Sequence, residues 1–178
     1  GSLGELSAKG MKFVDSGTRN VKRMTALVND LLDIEKFRAG KVELDISDVS
    51  LKSCLEACRD LHLGISEEEG VEVDIQGEDI VVQADREKLE RLFSNLLANA
   101  LKFTPRGGMV TMALESRDQE VVVLVEDDGP GLEADSLEHI FDRFFQVPGS
   151  AKKALGSGLG LSIARAVAEA HGFRLWAE

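Results

Sequence analysis

The chain is poor in cysteine, in histidine, in positive charge and in long apolar runs. Its two cysteines, Cys54 and Cys58, stand one helical turn apart and make no zinc pattern. They read as reduced core thiols of a cytoplasmic domain, not as a redox pair. The three histidines, His62, His139 and His171, are scattered and form no triad or metal cluster. Lys and Arg number 21 against 32 Asp and Glu, a formal net charge of −11. So acidic a surface disfavours nucleic acid and anionic membranes as partners, although a local basic spot can exist within it. No apolar run approaches the length of a bilayer span, and no signal peptide is visible. There is no internal repeat. What is present, 178 residues at 43% hydrophobic and 30% charged, suits one compact domain with room for a helical appendage.

The stretch from Asp85 to Phe103 organises the rest. Leu89, Leu92, Phe93, Leu96, Leu97, Ala100 and Phe103 recur in steps of three and four, the period of an amphipathic helix. Asp85 suits an N-cap, and Thr104-Pro105 stops the helix. At 3.6 residues per turn, Asn95, Asn99 and Lys102 fall within roughly 60° of one another, away from the apolar face. Asparagine is a poor helix former, so two of them on one face, followed by lysine, suggest a surface aimed at a ligand. An amide oxygen can ligate Mg²⁺, and a lysine can pair with phosphate. Taken alone, such a stripe is also what an ordinary solvated face looks like.

Around it the pattern predicts a long helix from Ser7 to Ala39, with a heptad seam of Val14, Val21, Met24, Val28 and Leu31, stopped by Gly40. Such a seam wants a partner helix, or it packs on the globular body. Lys41–Ile46 alternates as a short strand, and Leu51–Leu63 reads as a second amphipathic helix through Leu51, Cys54, Leu55, Cys58 and Leu61. An acidic loop at 64–70 then leads to strands at Val71–Ile75 and Ile80–Gln83 across a turn at Gly77. Beyond the central helix come a hairpin (109–115 and 120–126), a short helix (136–141), a glycine-containing loop (146–157), a helix (159–171) and a last strand (173–176). Helices and strands in this order favour an α/β (α+β) two-layer sandwich of a mixed sheet and helices, preceded by one long helix.

Two glycine motifs flank this framework. Glu126-Asp127-Asp128-Gly129-Pro130-Gly131 leaves an apolar strand and enters a turn. Asp and Gly are common in any turn, yet here they also offer a fixed carboxylate for an exocyclic amine and a backbone a planar ring can approach. Gly156-Ser157-Gly158-Leu159-Gly160-Leu161 opens a helix, where backbone N–H groups can converge on an anion. It lacks the strand-turn setting and the later acid of a dinucleotide fingerprint, and the Gly-Lys-Ser/Thr of a P-loop.

In this order the motifs resemble the sensor histidine kinase family, in its ATP-binding catalytic domain. Asn95 to Thr104 resembles the N box, Val125 to Leu132 the first glycine box, Ile140 to Phe145 the F box, and Gly156 to Leu161 the second glycine box. Leu31 to Leu44 is similar to the end of the second helix of the family's dimerisation domain. The resemblance implies the Bergerat ATP fold over 43–178 and a dimerisation-domain helix over 1–42. It implies that Asp127 holds the adenine amino group in a pocket shaped by Gly129 and Gly131. Asn99 would ligate Mg²⁺, with Asn95, Lys102 and Phe103 near the nucleotide. Arg143 would contact phosphate or assist transfer, and Gly156, Gly158, Leu159 and Gly160 would close over the phosphates. The loop at 146–157 would be the lid. The implied reaction is transfer of the ATP γ-phosphoryl group to a histidine, for relay to a response regulator. The intact protein would be a homodimer, cytoplasmic or tethered to a membrane. Gyrase-like ATPases carry a glutamate where this chain has Asn95, and an amide has no useful basicity toward water.

Three departures qualify the resemblance. The 178 residues contain no phosphoacceptor box, a histidine followed by an acid and then Arg-Thr-Pro, so this stretch is not expected to phosphorylate itself. The family's usual final strand has no counterpart, which leaves the sheet a strand short with an open edge. Gln146 stands where arginine is frequent, and Asp128 replaces a common asparagine. The rival readings are a pseudokinase that binds nucleotide without transfer, a gyrase-like ATPase, and a helical dimerisation module with an inert domain.

Overall fold

The computed structural model describes residues 7–38, 42–118, 120–147 and 157–178. Its elements run α1 (Ala8–Arg38), β1 (Ser47–Ser50), α2 (Leu51–Glu69), β2 (Glu72–Gln76), β3 (Val81–Ala84), α3 (Arg86–Phe103), β4 (Met109–Arg117), β5 (Glu120–Asp127), α4 (Ala134–Leu137) and α5 (Gly160–Ala170). Strand β4 is the centre of a mixed sheet, parallel to β2 and antiparallel to β5. Strands β1 and β3 form a separate antiparallel pair. Helices α2, α3 and α5 lie side by side in one layer, with α2 and α3 contacting the sheet. The expected two-layer α+β sandwich is therefore what forms.

Helix α3 is the middle of that layer. Asp85 caps it, Oδ1 accepting the Lys88 N–H at 3.1 Å. Leu89, Leu92, Phe93, Leu97, Ala100 and Leu101 are buried, with Leu97 and Leu101 wholly excluded from solvent. Full burial of each such leucine contributes about 1.5–3 kcal/mol. At the far end Thr104, itself buried, donates its hydroxyl to the Ala100 carbonyl at 2.8 Å and closes the last turn. A second cross-link holds the start of α3 to the end of α5. The His171 Nδ1–H donates to the Val167 carbonyl, so Nε2 is the lone-pair nitrogen that accepts the Asp85 N–H at 3.1 Å.

Several expectations need correction. The stretch 42–46 is not a strand, although Val42 and Leu44 alternate with exposed Glu43 and Asp45, because no neighbouring edge pairs with it. The strand forms later, at Ser47–Ser50, where β3 supplies that edge and Val49 points into the core. Helix α2 runs through the expected acidic loop to Glu69. Gly64 faces open space and weakens the helix by about 1 kcal/mol. The buried stripe Cys54, Leu55, Cys58, His62 and Ser66 outweighs it, and Gly70, at φ +66°, ends the helix instead. His62 replaces Leu61 in that stripe; Leu61 is exposed. Strands β2 and β3 do not pair across Gly77, since each finds its partner elsewhere. The short helix near 136 spans only Ala134–Leu137. The expected strand at 173–176 does not form either. A Schellman closure turns the chain at Gly172, with the Phe173 N–H donating to the Ala168 carbonyl at 2.9 Å. The segment then meets β5 through side chains, Arg174 to Glu120 at 2.8 Å, and makes no ladder with it. Gly40 lies outside the described residues.

Helix α1 touches the body with its last turns. Ile34 and Phe37 are buried, flanked by Arg91 bonding Asp30 and Asp33 on one side and by Arg143 bonding Glu35 on the other. The heptad seam of Val14, Val21, Met24, Val28 and Leu31 faces solvent, so the globular body does not cover it. No described helix is long and apolar enough to cross a membrane.

The thiols are core groups. Burial pushes the Cys58 thiol up to about 12, with the nearby charges of Glu90 and Cys54 adding to it, and burial raises Cys54 as well. A thiol raised on folding is protonated in the native state and ionises more readily when unfolded. Its contribution to stability is complete below about pH 9 and is lost as pH climbs toward 12. Urea midpoints should hold to pH 8.5 and fall above it, and both thiols should react with a disulfide reagent at pH 8 only after unfolding. Rapid labelling of the native protein would contradict this burial.

Candidate functional site

The polar stripe of α3 lies between the two glycine motifs. Asn95 donates Nδ2–H to the Arg91 carbonyl one turn back at 2.8 Å, which fixes the amide and directs Oδ1 elsewhere. That oxygen lies 3.0 Å from where a side chain on Gly160 would begin. The start of α5 can approach Asn95 this closely because position 160 has no Cβ. Asn99, half-buried one turn on, makes no side-chain hydrogen bond among the described residues. The Lys102 ammonium sits 4.8 Å from the centre of the Phe103 ring.

The first glycine motif packs on the C-terminal end of α3. Asp127 is the last residue of β5, and its Oδ1 accepts the Gly129 N–H at 2.9 Å. Its Oδ2 has no partner among the described residues. A side chain at Gly129 would begin 2.3 Å from Asp127 Oδ1 and 3.5 Å from the Phe103 carbonyl oxygen. The turn is thus an open cradle kept clear by glycine, and Gly131, at φ +71°, continues it.

The second glycine motif is held at its base. The Phe144 N–H donates to the Gly158 carbonyl at 2.8 Å, with Phe144 at φ +63° and Gly158 at φ +70°. Leu159, buried, precedes the helix; its N–H donates to Ser157 Oγ at 3.2 Å, and among the described residues no side chain takes the N–H groups of residues 160–162. The N–H groups of Gly160, Leu161 and Ser162 thus lack a side-chain acceptor among the described residues, the arrangement that favours an anion. Gly156 and residues 148–155 of the expected lid lie outside the described residues. The ring of Phe141, in the F-box motif, lies under the Arg165 guanidinium of α5 at 6.0 Å, which ties this segment to α5.

Arg143, next to the Phe144 that bonds Gly158, turns its side chain to α1. Its Nη1 bonds Glu35 Oε1 on α1 at 2.6 Å, and its Nη2 is buried without a partner among the described residues. Sequence reasoning did not single out Glu35, Asp30 or Asp33 on α1, or Arg91 on α3. The signal was available as an acidic cluster in the last turns of α1. Among the described residues no three His, Cys, Asp or Glu side chains converge as metal ligands. A cation at Asn99 would draw further ligands from a bound anion or water. A cavity of about 370 Å³ between α5 and residues 173–176 is lined by none of the motif residues.

The family model described as "Histidine kinase-, DNA gyrase B-, and HSP90-like ATPase" matches residues 84–178. The chain is 34% identical over 178 residues to the signal transduction histidine-protein kinase AfsQ2 of Streptomyces coelicolor, covering all of this chain and 32% of that protein. It is 31% identical over 172 residues to the sensor histidine kinase WalK of Bacillus subtilis, covering 94% of this chain and 28% of that one. The fold is also similar to full-length ShkA solved in complex with AMPPNP, with a TM-score of 0.81 at 28% identity, covering 95% of this chain and 35% of the other. The chain thus spans about a third of the length of these proteins.

The base of the second glycine motif makes a direct prediction. At Gly158 a Cβ would lie 2.8 Å from the Phe144 backbone, on a residue at positive φ. Gly158→Ala should lower unfolding free energy by about 2 kcal/mol, from left-handed strain and the clash together. Gly17→Ala, in open space within α1, should be neutral or stabilising by up to about 1 kcal/mol. Urea unfolding of the two variants checks this. Equal stability of Gly158→Ala and wild type would refute the clamp.

Proposed function

The chain belongs to the histidine kinase-, DNA gyrase B- and HSP90-like ATPase family and carries an ATP-binding catalytic domain of histidine-kinase type, and from that premise we propose that it binds Mg-ATP along the polar stripe of α3 for phosphoryl transfer to a histidine. The observation that carries this reading is the pair of glycine approaches to one helix, Gly129 at its C-terminal end and Gly160 at Asn95. The residues fit the nucleotide. Asp127 Oδ2 accepts from the adenine amine while Oδ1 stays on Gly129, and Gly129 and Gly131 keep the ring's approach clear. Asn99 offers its amide oxygen to Mg²⁺. Asn95, Lys102 and the first turn of α5 face the phosphates, with Gly158, Leu159 and Gly160 beside them and Phe103 lining the site. ATP supplies the γ-phosphoryl group, and Mg²⁺ neutralises its charge. The protein's part is positioning and charge compensation. Asn95 cannot act as a base toward water, which favours transfer over gyrase-like hydrolysis.

Arg143 contributes in this reading once it exchanges Glu35 for phosphate oxygens. Its ion pair with Glu35 is half open to solvent, with side-chain exposures of 25% and 58%, and holds at most about 1 kcal/mol. A charge-assisted bond to phosphate outweighs it. Residues 1–42 serve as the dimerisation helix and 43–178 as the catalytic domain. The exposed seam of α1 supports a homodimer in the intact protein. The phosphoacceptor histidine and the response regulator belong to the longer assembly, cytoplasmic or tethered to a membrane.

Calorimetric titration with ATP and Mg²⁺ tests the pocket. Wild type should bind, Asp127→Ala should lose at least about tenfold in affinity, and Asn99→Ala should lose the Mg²⁺ dependence. Folded wild type that does not bind would sink the assignment. In the same titration Glu35→Gln should tighten ATP binding by about two- to fivefold, because it releases Arg143. Unchanged affinity would assign Arg143 to the docking of α1 alone.

A further inference from the structure

Asp128 takes no part in the adenine contact assigned to Asp127, yet it is the first residue beyond the strand and the point where the ladder stops. The last paired residues of the β4–β5 ladder are Val110 and Asp127, so the next opposed pair is Met109 and Asp128. In a regular antiparallel ladder such a pair exchanges two backbone hydrogen bonds. Here one is normal in kind, the Asp128 N–H donating to the Met109 carbonyl at 3.3 Å. The other is not. The Met109 N–H donates at 2.8 Å to Asp128 Oδ2 and not to the Asp128 backbone carbonyl. The carboxylate stands in for the carbonyl, and the backbone at 128 is released to turn out of the sheet. That turn brings the Gly129 N–H onto Asp127 Oδ1.

The same contact is fastened to α3. A Cβ on Gly108 would lie 3.3 Å from Asp128 Cβ, 2.8 Å from Thr104 Cγ2 and 3.0 Å from the Pro105 carbonyl oxygen. The end of β5, the start of β4 and the end of α3 meet here with no room for a side chain at position 108. Asp128 therefore links the carboxylate at 127 to the helix that carries Asn99, Lys102 and Phe103.

We propose that Asp128 is the positioning residue for Asp127. Its side chain takes the Met109 N–H, frees the chain to turn and fixes the Asp127 carboxylate at one place, so that discrimination between adenine and guanine depends on Asp128. The proposal rests on Asp127 meeting the exocyclic amine of the base. Guanine carries a carbonyl oxygen where adenine carries that amine, and a fixed carboxylate repels it. A mobile one can avoid it.

The test measures affinities for Mg-ATP and Mg-GTP by calorimetry in wild type, Asp128→Ala, Asp128→Asn and Asp127→Ala, with hydrogen exchange of the Met109 amide alongside. Asp128→Ala should weaken ATP by about tenfold, weaken GTP less, narrow the ATP-over-GTP ratio by about threefold or more and expose the Met109 amide to exchange. Asp128→Asn should restore all three, because its amide oxygen accepts the same N–H. Wild-type affinity and selectivity in Asp128→Ala, with binding lost in Asp127→Ala, would overturn the proposal and leave the adenine contact standing. Undiminished binding in Asp127→Ala would remove the adenine contact and the proposal with it. Equal losses in Asp128→Asn and Asp128→Ala would show that charge and not the hydrogen bond matters, which also overturns it. Should Asp128→Ala fail to fold, Asp128→Leu, which fills a similar volume and has no acceptor for the Met109 N–H, decides by the same ratio.

Discussion

The packing of α3 between α2 and α5 is the constraint on which the site depends. Leu97 and Leu101 are fully buried, and with Leu89, Leu92, Phe93 and Ala100 they fix the rotation of the helix. At about 1.5–3 kcal/mol per buried large side chain, this outweighs any preference of the polar face. Asn95, Asn99 and Lys102 are therefore placed by what lies opposite them. The glycine motifs then meet a surface already set. Gly129 approaches its C-terminal end and Gly160 its middle, and at both places the missing side chain is what allows the distance.

The ends of α3 are secured by polar cross-links of a different kind. At its start, Asp85 accepts the N–H groups of Lys88 and Asp45 while its own N–H is taken by His171 from the end of α5. At its finish, Thr104 closes the helix and Gly108 lets Asp128 sit against it. Helix α1 is attached more loosely. Among the described residues α1 buries the apolar side chains of Ile34 and Phe37 against the body and makes partly exposed ion pairs worth up to about 1 kcal/mol each. The contrast in energy is the physical ground for treating α1 as a separable element and Arg143 as able to change partner.

Much of this was legible in the residues. Strong periodicity and an unambiguous cap gave α3 its limits, and the apolar run at 121–125 behind a polar turn gave the β4–β5 hairpin, because both signals are local. What was missed depended on partners. The alternation at 42–46 is genuine, but a strand needs an edge, and the edge of β3 lies opposite 47–50. Gly64 looks like a stop and is overridden by the buried stripe to either side of it. Phe173 to Trp176 has the composition of a strand and no ladder to join among the described residues. At the site, the motif residues could be named from their order. The acidic cluster on α1 was visible, but its pairing with Arg143, like the substitution of a carboxylate for a carbonyl at Asp128, was not, since each joins residues from different elements.

The central claim is that nucleotide lies along α3 between the two glycine turns. Backbone chemical-shift mapping on titration with Mg²⁺ and a non-hydrolysable ATP analogue tests it most directly. The largest shifts should fall on Asn95–Phe103, Asp127–Gly131 and Gly158–Gly160, with the cavity beside residues 173–176 unaffected. Shifts centred on that cavity, or none at saturating analogue, would contradict it.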